Sequence, residues 1–229
     1  MPRHLNIACL QTRPMADFQS ALDEALALAE VAVRDGAEML ALPEYCGGLK
    51  TEGAMFTPPV ALEDDHLVLK GLRAFARDNQ VWISIGSLAV PGLEGRIFNR
   101  GFMIDDTGSI RSRYDKIHMF AIQLSDTEVY QESALVSAGH QVVLIETPMG
   151  RWGHSICYDL RFPHLYRELA KSGAEIFLIP AAFTKKIGEA HWHILNRARA
   201  IENGAFVVAA CALGLVEGGG ESYGHSLII

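Results

Sequence analysis

The hydrophobic positions along this chain fall into segments with two different periods. A helix that ends before Gly36 is predicted by apolar residues at helical spacing, namely Leu22, Leu26, Ala29 and Val33. Short apolar runs typical of buried strands lie on both sides of it, and this order returns further along the chain. The predicted strands are HLNIACLQ, MLALPEY, VWISIGSLAV, AEIFLIP and AFVVAAC, and the other predicted helices are LVLKGLRAFARDNQ, HLYRELAKSG and EAHWHILNRARAIENG.

Two further pairs of strands are predicted to form hairpins. IFNRGFMID and SIRSRYDK flank the turn sequence DDTG at 105–108, and QVVLIET and GRWGHSIC flank PMG at 148–150. Helical crossovers join parallel strands, whereas hairpins join antiparallel ones, so the sequence predicts an α/β layered fold with a mixed sheet. At the end of the chain, SYGHSLII predicts a single strand with Tyr223, His225, Leu227 and Ile229 on one face.

The charge and the length of the apolar runs argue against two classes of protein. With 20 basic and 27 acidic residues the net charge is −7, which is unfavourable for binding nucleic acid. The longest apolar run, FVVAACALGLV, is well short of the ~20 residues that cross a bilayer, and MPRHLNIACLQ lacks the apolar length of a signal peptide. We therefore expect a cytoplasmic protein whose four scattered cysteines are free thiols.

Three polar residues stand where predicted strands end, the region in which sites assemble in α/β sheets. They are Glu44 in LALPEY, Lys116 in RSRYDKIH and Cys157 in HSICYD. Taken singly, they can be a solvated carboxylate, a surface lysine and a small buried thiol. Taken together, the carboxylate can accept the thiol proton, and the ammonium and the backbone N–H of Tyr158 can stabilise an oxyanion. Spacing alone leaves open whether these side chains meet.

The segments LPEY, YDKIHMF and ICYDLRFP, in this order, resemble the three signature regions of the nitrilase, or carbon–nitrogen hydrolase, superfamily. This resemblance implies a four-layer α-β-β-α sandwich that needs no cofactor and forms a homodimer or a larger homo-oligomer. It also implies a general base at Glu44, an oxyanion stabiliser at Lys116 and a nucleophile at Cys157. The segment VYQES matches a second glutamate of the family, and Glu132 is thereby implied to orient Lys116 and shape the pocket.

The segments GEAHWHILNRARAIENGAFVVAA and SYGHSLII resemble the branch that contains deaminated glutathione amidases and ω-amidases. The resemblance implies hydrolysis of a terminal amide of an α-keto acid through a cysteine thioester, with release of ammonia. Two alternatives stay open. One is a hydrolase of a carbamoyl amine or a nitrile, and the other is a non-catalytic binding member of the family. The chain has Ala121 where the branch usually has aspartate, and the expected single domain over 1–229 lacks the family's usual C-terminal segment.

Residues that could contact the substrate are Tyr158, Arg161, Phe183 and Thr184. Arg161 could clamp a substrate carboxylate with its guanidinium, or it could pair structurally with Asp159 or a helix end. Phe183 and Thr184 follow the strand AEIFLIP and could line a pocket, although packing is the simpler role for Phe183.

Two histidines near the C-terminal helix do not indicate a metal site. His191 and His193 are two residues apart, so they point to different faces of a helix. No H-E-x-x-H motif is present, and we expect no metal. Arg197, Arg199 and Glu202 are expected to form structural ion pairs.

Overall fold

Two mixed sheets of five strands each form the centre of the fold, in a computed structural model that describes residues 4–53, 55–123 and 129–229. Helices cover the outer face of each sheet, so the four-layer α-β-β-α sandwich is confirmed. The strands are β1 (Ile7–Cys9), β2 (Met39–Ala41), β3 (Thr51–Glu52), β4 (Met55–Phe56), β5 (Trp82–Pro91), β6 (Ile97–Ile104), β7 (Ile110–Asp115), β8 (Ala121–Gln123), β9 (Val129–Gln131), β10 (Leu144–Thr147), β11 (Gly150–His154), β12 (Ile176–Leu178), β13 (Phe206–Ala209), β14 (Leu213–Leu215), β15 (Glu221–Tyr223) and β16 (Leu227–Ile228).

The first sheet has the strand order β1-β2-β5-β6-β7. β1, β2 and β5 are parallel because the helices α1 (Phe18–Arg34) and α2 (Leu67–Asn79) form the connections between them. α1 begins after Asp17, whose carboxylate accepts a hydrogen bond from the N–H of Ser20. β5, β6 and β7 are antiparallel, and the predicted hairpin turn at 105–108 joins the last two.

The second sheet has the strand order β10-β11-β12-β13-β16. β11, β12 and β13 are parallel and are connected through the helices α3 (Pro163–Lys171) and α4 (Lys185–Asn203). Pro163 occupies the first turn of α3, where its missing N–H costs nothing. α4 starts at Lys185, earlier than the start predicted at Glu189. It ends at Asn203, and Gly204 caps it in the left-handed conformation.

The prediction of one strand over SYGHSLII is wrong. β15 pairs with β14, whereas β16 pairs with β13 at the edge of the second sheet. Between them Gly224 has φ +70° and His225 has φ +56°, both in the left-handed region. The chain therefore turns between Tyr223 and Leu227, and these two side chains do not share a strand face. An alternating pattern in sequence does not register such a turn.

Three apolar layers hold the sandwich together. The central layer lies between the sheets and includes Met39, Met103, Trp152, Ile176 and Val208. One outer layer packs α1 and α2 on the first sheet, and the other packs α3 and α4 on the second. In the described part of the chain, no helix has the length and apolar character that crossing a membrane requires.

A glycine allows the loops that follow β2 and β12 to approach each other. Gly86 lies at an irregularity in the pairing of β5 with β6. A Cβ atom at this position would lie 2.1 Å from the carbonyl oxygen of Leu42, 2.3 Å from that of Pro43 and 2.5 Å from Cβ of Pro180. Only a residue without a side chain fits here. This close approach brings Glu44 to the same end of the sandwich as Cys157.

Candidate active site

A buried cluster of one lysine and two glutamates lies at the end of the first sheet. Lys116 follows β7, and its side chain is only 2% exposed. Its Nζ lies 2.9 Å from Oε1 of Glu44, and 3.0 and 2.9 Å from the two carboxylate oxygens of Glu132. Burial alone would lower the pKa of Lys116, but the two carboxylates outweigh it and raise that pKa well above its usual value. The ammonium is therefore charged.

Glu44 is held by hydrogen bonds from four directions. Its Oε1 accepts from Lys116 and from Nδ2 of Asn99 at 2.9 Å, and its Oε2 accepts from the N–H of Ala182 at 2.9 Å. The thiol of Cys157 also donates to this carboxylate. Burial acts to raise the pKa of Glu44, but the charge of Lys116 and the hydrogen bonds from Lys116, Cys157 and Ala182 hold it below its usual value. Glu44 is ionised and faces the thiol.

Glu132 begins a single 3₁₀ turn (Glu132–Ala134) and is fixed by the backbone of Phe120. The N–H of Phe120 donates to Oε2 of Glu132 at 2.7 Å, and the N–H of Glu132 donates to the carbonyl of Phe120 at 2.9 Å. These paired bonds orient the carboxylate toward Lys116. Residues 124–128 lie outside the described part of the chain, whereas Ala121 is within it and pairs with Gln131 in β8 and β9.

Cys157 stands on a strained turn between β11 and α3. It begins a 3₁₀ turn (Cys157–Arg161), and its φ of +48° lies in the left-handed region that few non-glycine residues adopt. Its N–H donates to the carbonyl oxygen of Pro180 at 2.8 Å. The N–H groups at the start of such a turn, including that of Tyr158, have no hydrogen-bond partner within the turn.

The thiol of Cys157 is protonated in this arrangement. Burial and the negative charge of Glu44 raise the pKa of the thiol well above its usual value, and Lys116 offsets this only in part. The glutamates and Lys116 together carry a net negative charge, so a thiolate would add a further one in a buried site. The resting pair is a neutral thiol beside a carboxylate, which is the arrangement that general-base activation requires.

A second buried network fixes the turn that carries Cys157. The carboxylate of Asp159 accepts from the Tyr114 hydroxyl at 2.7 Å, the N–H of Ile156 at 2.9 Å and the N–H of His118 at 3.0 Å. Nδ1 of His118 lies 2.7 Å from the same carboxylate. Because Tyr114 and His118 flank Lys116 in sequence, Asp159 ties the lysine segment to the cysteine turn.

The four residues predicted to contact substrate all line one pocket beside Cys157. Tyr158, Arg161, Phe183 and Thr184 contribute to its wall. The wall also includes four apolar residues that were not predicted as substrate contacts, namely Phe56, Phe120, Ala182 and Ile187. Phe120 ends the signature segment YDKIHMF, whereas the other three resemble ordinary packing residues in sequence.

Arg161 faces this pocket with its guanidinium on two aromatic rings. Its Cζ lies 5.8 Å from the ring centre of Tyr158 and 5.9 Å from that of Phe183, and its Nη2 lies 3.0 Å from Nδ1 of His191. Among the described residues it makes no ion pair with Asp159, whereas a structural role at a helix end stays a prediction. Phe183 combines both roles considered for it, because its ring also packs on Trp192 at 5.1 Å.

The two histidines of α4 have separate surroundings. His191 contacts Arg161, whereas His193 packs against the rings of Tyr223 and His225. Arg199 forms the expected structural ion pair with Glu202 at 2.8 Å. No group of three or more potential metal ligands occurs among the residues that the structure describes.

Asn99 is the polar residue of the cluster that the sequence analysis missed. It lies in β6, where alternate residues face inward, and its side chain is fully buried. Its Nδ2 donates to Glu44 at 2.9 Å and to Glu132 at 3.4 Å. A single polar residue on the apolar face of a predicted strand was the available signal.

A comparison with family models matches residues 6–229 to the carbon–nitrogen hydrolase family. Among curated proteins, the chain is 37% identical over 226 residues to the deaminated glutathione amidase of Synechocystis sp., covering 97% of this chain and 82% of that protein. It is also 37% identical over 200 residues to the deaminated glutathione amidase of Yersinia enterocolitica, covering 86% of this chain and 70% of that protein.

Solved structures share the fold. The NitFhit protein of Caenorhabditis elegans superposes with a TM-score of 0.88 at 33% identity, covering 99% of this chain and 56% of that one. An amidase of Nesterenkonia sp., in a structure with acrylamide added at its active-site cysteine, gives a TM-score of 0.80 at 26% identity and covers 99% of this chain and 85% of that one.

Proposed function

Because this chain belongs to the carbon–nitrogen hydrolase family of the nitrilase superfamily, we propose that Cys157 is the nucleophile with which it hydrolyses a terminal amide of a small acid that carries a carboxylate. The observation that carries this proposal is the neutral thiol of Cys157 in contact with ionised Glu44, whose other side is held by Lys116. No cofactor takes part in the proposed reaction.

In the acylation step, Glu44 accepts the thiol proton as the sulfur of Cys157 attacks the amide carbon. The C–S bond forms, and the carbonyl π electrons move to oxygen. Nζ of Lys116 and the N–H of Tyr158 stabilise this oxyanion. When the intermediate collapses, the C–N bond breaks and the nitrogen takes the proton from Glu44, so ammonia leaves and a thioester remains.

In the deacylation step, Glu44 accepts a proton from water as the oxygen attacks the thioester carbon. The C–O bond forms, the C–S bond breaks, and the departing sulfur takes the proton back from Glu44. Glu132 does not exchange protons in this scheme. It holds Lys116 in the charged form through two contacts at 3.0 and 2.9 Å, which fixes the oxyanion donor before the substrate enters.

For the acyl group we propose an α-keto acid with a terminal amide, such as deaminated glutathione. Relatives with that activity in their names are 37% identical to this chain. Arg161 lies on the pocket wall and can form paired hydrogen bonds with a substrate carboxylate, and Tyr158, Phe183 and Thr184 would contact the remainder of the acyl group.

The test is ammonia release from ω-amides of dicarboxylic and α-keto acids, including deaminated glutathione. Cys157→Ala should abolish turnover with little change in melting temperature, because the side chain is small. Glu44→Gln keeps the shape but cannot accept a proton, so kcat should fall by ~10²-fold or more. Cys46→Ala, at another buried thiol, is the matched control. Near wild-type hydrolysis by Cys157→Ala would disprove the assignment of Cys157 as the nucleophile. Release of ammonia only from nitriles or carbamoyl amines would show that the substrate is not a terminal amide.

We also propose that the chain is active as a homodimer in the cytoplasm, with α4 at the interface. Ile194 and Ile201 lie seven residues apart on this helix and are 70% and 79% exposed. Paired apolar side chains on one helix face favour a partner of the same kind. Sedimentation should show a dimer, and Ile194→Glu should shift it to monomer. A monomeric wild-type chain would contradict this proposal.

A further inference from the structure

Asn99 contacts all three charged members of the cluster. Its side-chain NH₂ donates to Glu44 at 2.9 Å and to Glu132 at 3.4 Å, while its backbone carbonyl accepts from the N–H of Lys116 at 3.0 Å. One residue of β6 therefore fixes the backbone of the lysine and the carboxylates on both sides of its ammonium.

This position of Asn99 is costly for folding. Its Oδ1 is buried and has no hydrogen-bond partner among the described residues, which is unfavourable for a polar atom. Rotating the amide would relieve nothing, because it would direct Oδ1 at the carboxylates of Glu44 and Glu132. The unpaired oxygen therefore follows from using both N–H groups on the glutamates. A buried polar atom left unpaired calls for an explanation, and at Asn99 the explanation is the pair of hydrogen bonds to the two glutamates.

The single charge of Lys116 must serve two carboxylates. Lys116, Glu44 and Glu132 are buried and together carry a net charge of −1. Such a cluster favours protonation of one glutamate unless neutral hydrogen-bond donors stabilise the carboxylates. Asn99 is such a donor, and it adds no charge of its own. A lysine or arginine at this position would stabilise the carboxylate more strongly but would also reduce its ability to accept a proton.

We propose that Asn99 is a positioning residue that keeps Glu44 ionised and oriented toward Cys157. This inference rests on the proposed function, in which Glu44 accepts the thiol proton. Its consequence is a defined pH dependence: without the Asn99 donor, Glu44 takes up a proton at higher pH, and the enzyme loses its base there.

The other titratable groups around Glu44 set the background for this effect. They come from each element packed against it, and they are Lys116, Glu132, Cys157, Tyr45 and Cys211. Because these groups interact, the acidic limb of the pH–rate profile belongs to the cluster as a whole. A change at Asn99 alters one neutral hydrogen bond and leaves every charge in place, so the shift of that limb reports the hydrogen bond.

The experiment compares Asn99→Leu, which keeps volume and removes both donors, with the wild type. We expect the acidic limb of kcat/KM to move up by about one pH unit, the size expected for losing a hydrogen bond to a charged group. The pH dependence of Cys157 alkylation by iodoacetamide, followed at that peptide by mass spectrometry, should move in the same direction. Asn99→Ser, which restores one donor, should move the limb less.

The matched control is Asn196→Leu. Asn196 is also fully buried, its Nδ2 donates to the carbonyl of Trp192, and within the described part of the chain its Oδ1 also lacks a partner. We expect this variant to lower the melting temperature without moving the acidic limb. If the acidic limb of kcat/KM stays at its wild-type position in both Asn99→Leu and Asn99→Ser, Asn99 has only a structural role. If Asn99→Leu does not fold, an unmoved limb in Asn99→Ser overturns the inference.

Glu44→Gln, measured in parallel, separates the two proposals. If Glu44→Gln retains activity, the proposed function fails, whatever Asn99 does. If Glu44→Gln loses activity and the Asn99 variants keep the wild-type limb, only the inference about Asn99 fails.

Discussion

At the scale of single residues, the site combines a protonated thiol with a carboxylate that is already ionised. Cysteine sites that rest as thiolates need a cation next to the sulfur, but here Lys116 is held by Glu44 and Glu132. The pKa of the thiol is raised and that of Glu44 is lowered, so the proton stays on sulfur until substrate binds. A neutral thiol is a weaker nucleophile than a thiolate, so transfer of this proton to Glu44 would activate Cys157.

The proposed role of Arg161 in binding a substrate carboxylate can be tested with a pair of substrates, one acidic and one neutral. Arg161→Met should raise KM for the ω-amide of a dicarboxylic acid about tenfold, because a charge-assisted hydrogen bond is lost. KM for a neutral diamide of equal length should change little, as steady-state kinetics on both substrates will show. Arg167→Met, at an exposed arginine on α3 that bonds the carbonyl of Glu202, is the control. An equal rise in KM for both substrates would show that Arg161 is a packing residue.

At the scale of secondary-structure elements, the site depends on the close approach of two loops over β5. A methyl group at Gly86 would lie 2.1 Å from the Leu42 carbonyl and 2.5 Å from Cβ of Pro180. Gly86→Ala should therefore separate the loops, lower stability by about 1–3 kcal/mol and reduce kcat through misplacement of Glu44. Urea denaturation and steady-state kinetics will measure both effects. Gly95→Ala, in an open turn with no atom near the added methyl group, should cost only its backbone strain, about 1 kcal/mol, and leave kcat unchanged. Wild-type behaviour of Gly86→Ala would show that the loops adjust.

At the scale of the whole molecule, a buried histidine makes folding sensitive to acid. His66 is the N-cap residue of α2, and its ring centre lies 4.5 Å from that of Phe18. Neither of its ring nitrogens has a hydrogen-bond partner among the described residues. Burial lowers the pKa of His66 to about 4, whereas an unfolded histidine titrates near 6.5. As the pH falls from 6.5 to about 4, the unfolded chain takes up a proton that the folded chain does not. Stability therefore decreases across this window, by about 1.4 kcal/mol per pH unit for one proton.

His66→Phe should weaken this acid sensitivity, because it keeps an aromatic ring against Phe18 and removes the titrating group. Denaturation midpoints measured between pH 6.5 and 4 should have a smaller slope than in the wild type. Some slope should remain, since burial also lowers the pKa of His154 to about 4. His164→Gln, at an exposed histidine of α3, should leave the slope unchanged. An unaltered slope in His66→Phe would show that His66 does not contribute.

Local sequence determined the order of elements and the residues able to do chemistry. The 3.6-residue and 2-residue periods predict the four helices and the strands of the two main sheets other than β16, because they report which face of each element is buried. The motifs around Glu44, Lys116 and Cys157 supply the reactive groups, and their resemblance to one family implies the sandwich. The turn at Gly224 and His225 was not predicted, because alternation continues through a residue whose backbone leaves the strand conformation.

Only the tertiary structure decided how these groups meet. Glu44 bonds Lys116 across 72 positions, Asn99 across 55 and the N–H of Ala182 across 138. Whether residues so far apart in sequence meet depends on sheet order, on the loop contact at Gly86 and on close packing. None of these leaves a periodic pattern in the sequence. The protonation states depend on the same assembly, since burial and neighbouring charges shift each pKa only when the loops have closed. Sequence thus determines which groups can react, and packing determines which of them hold a charge.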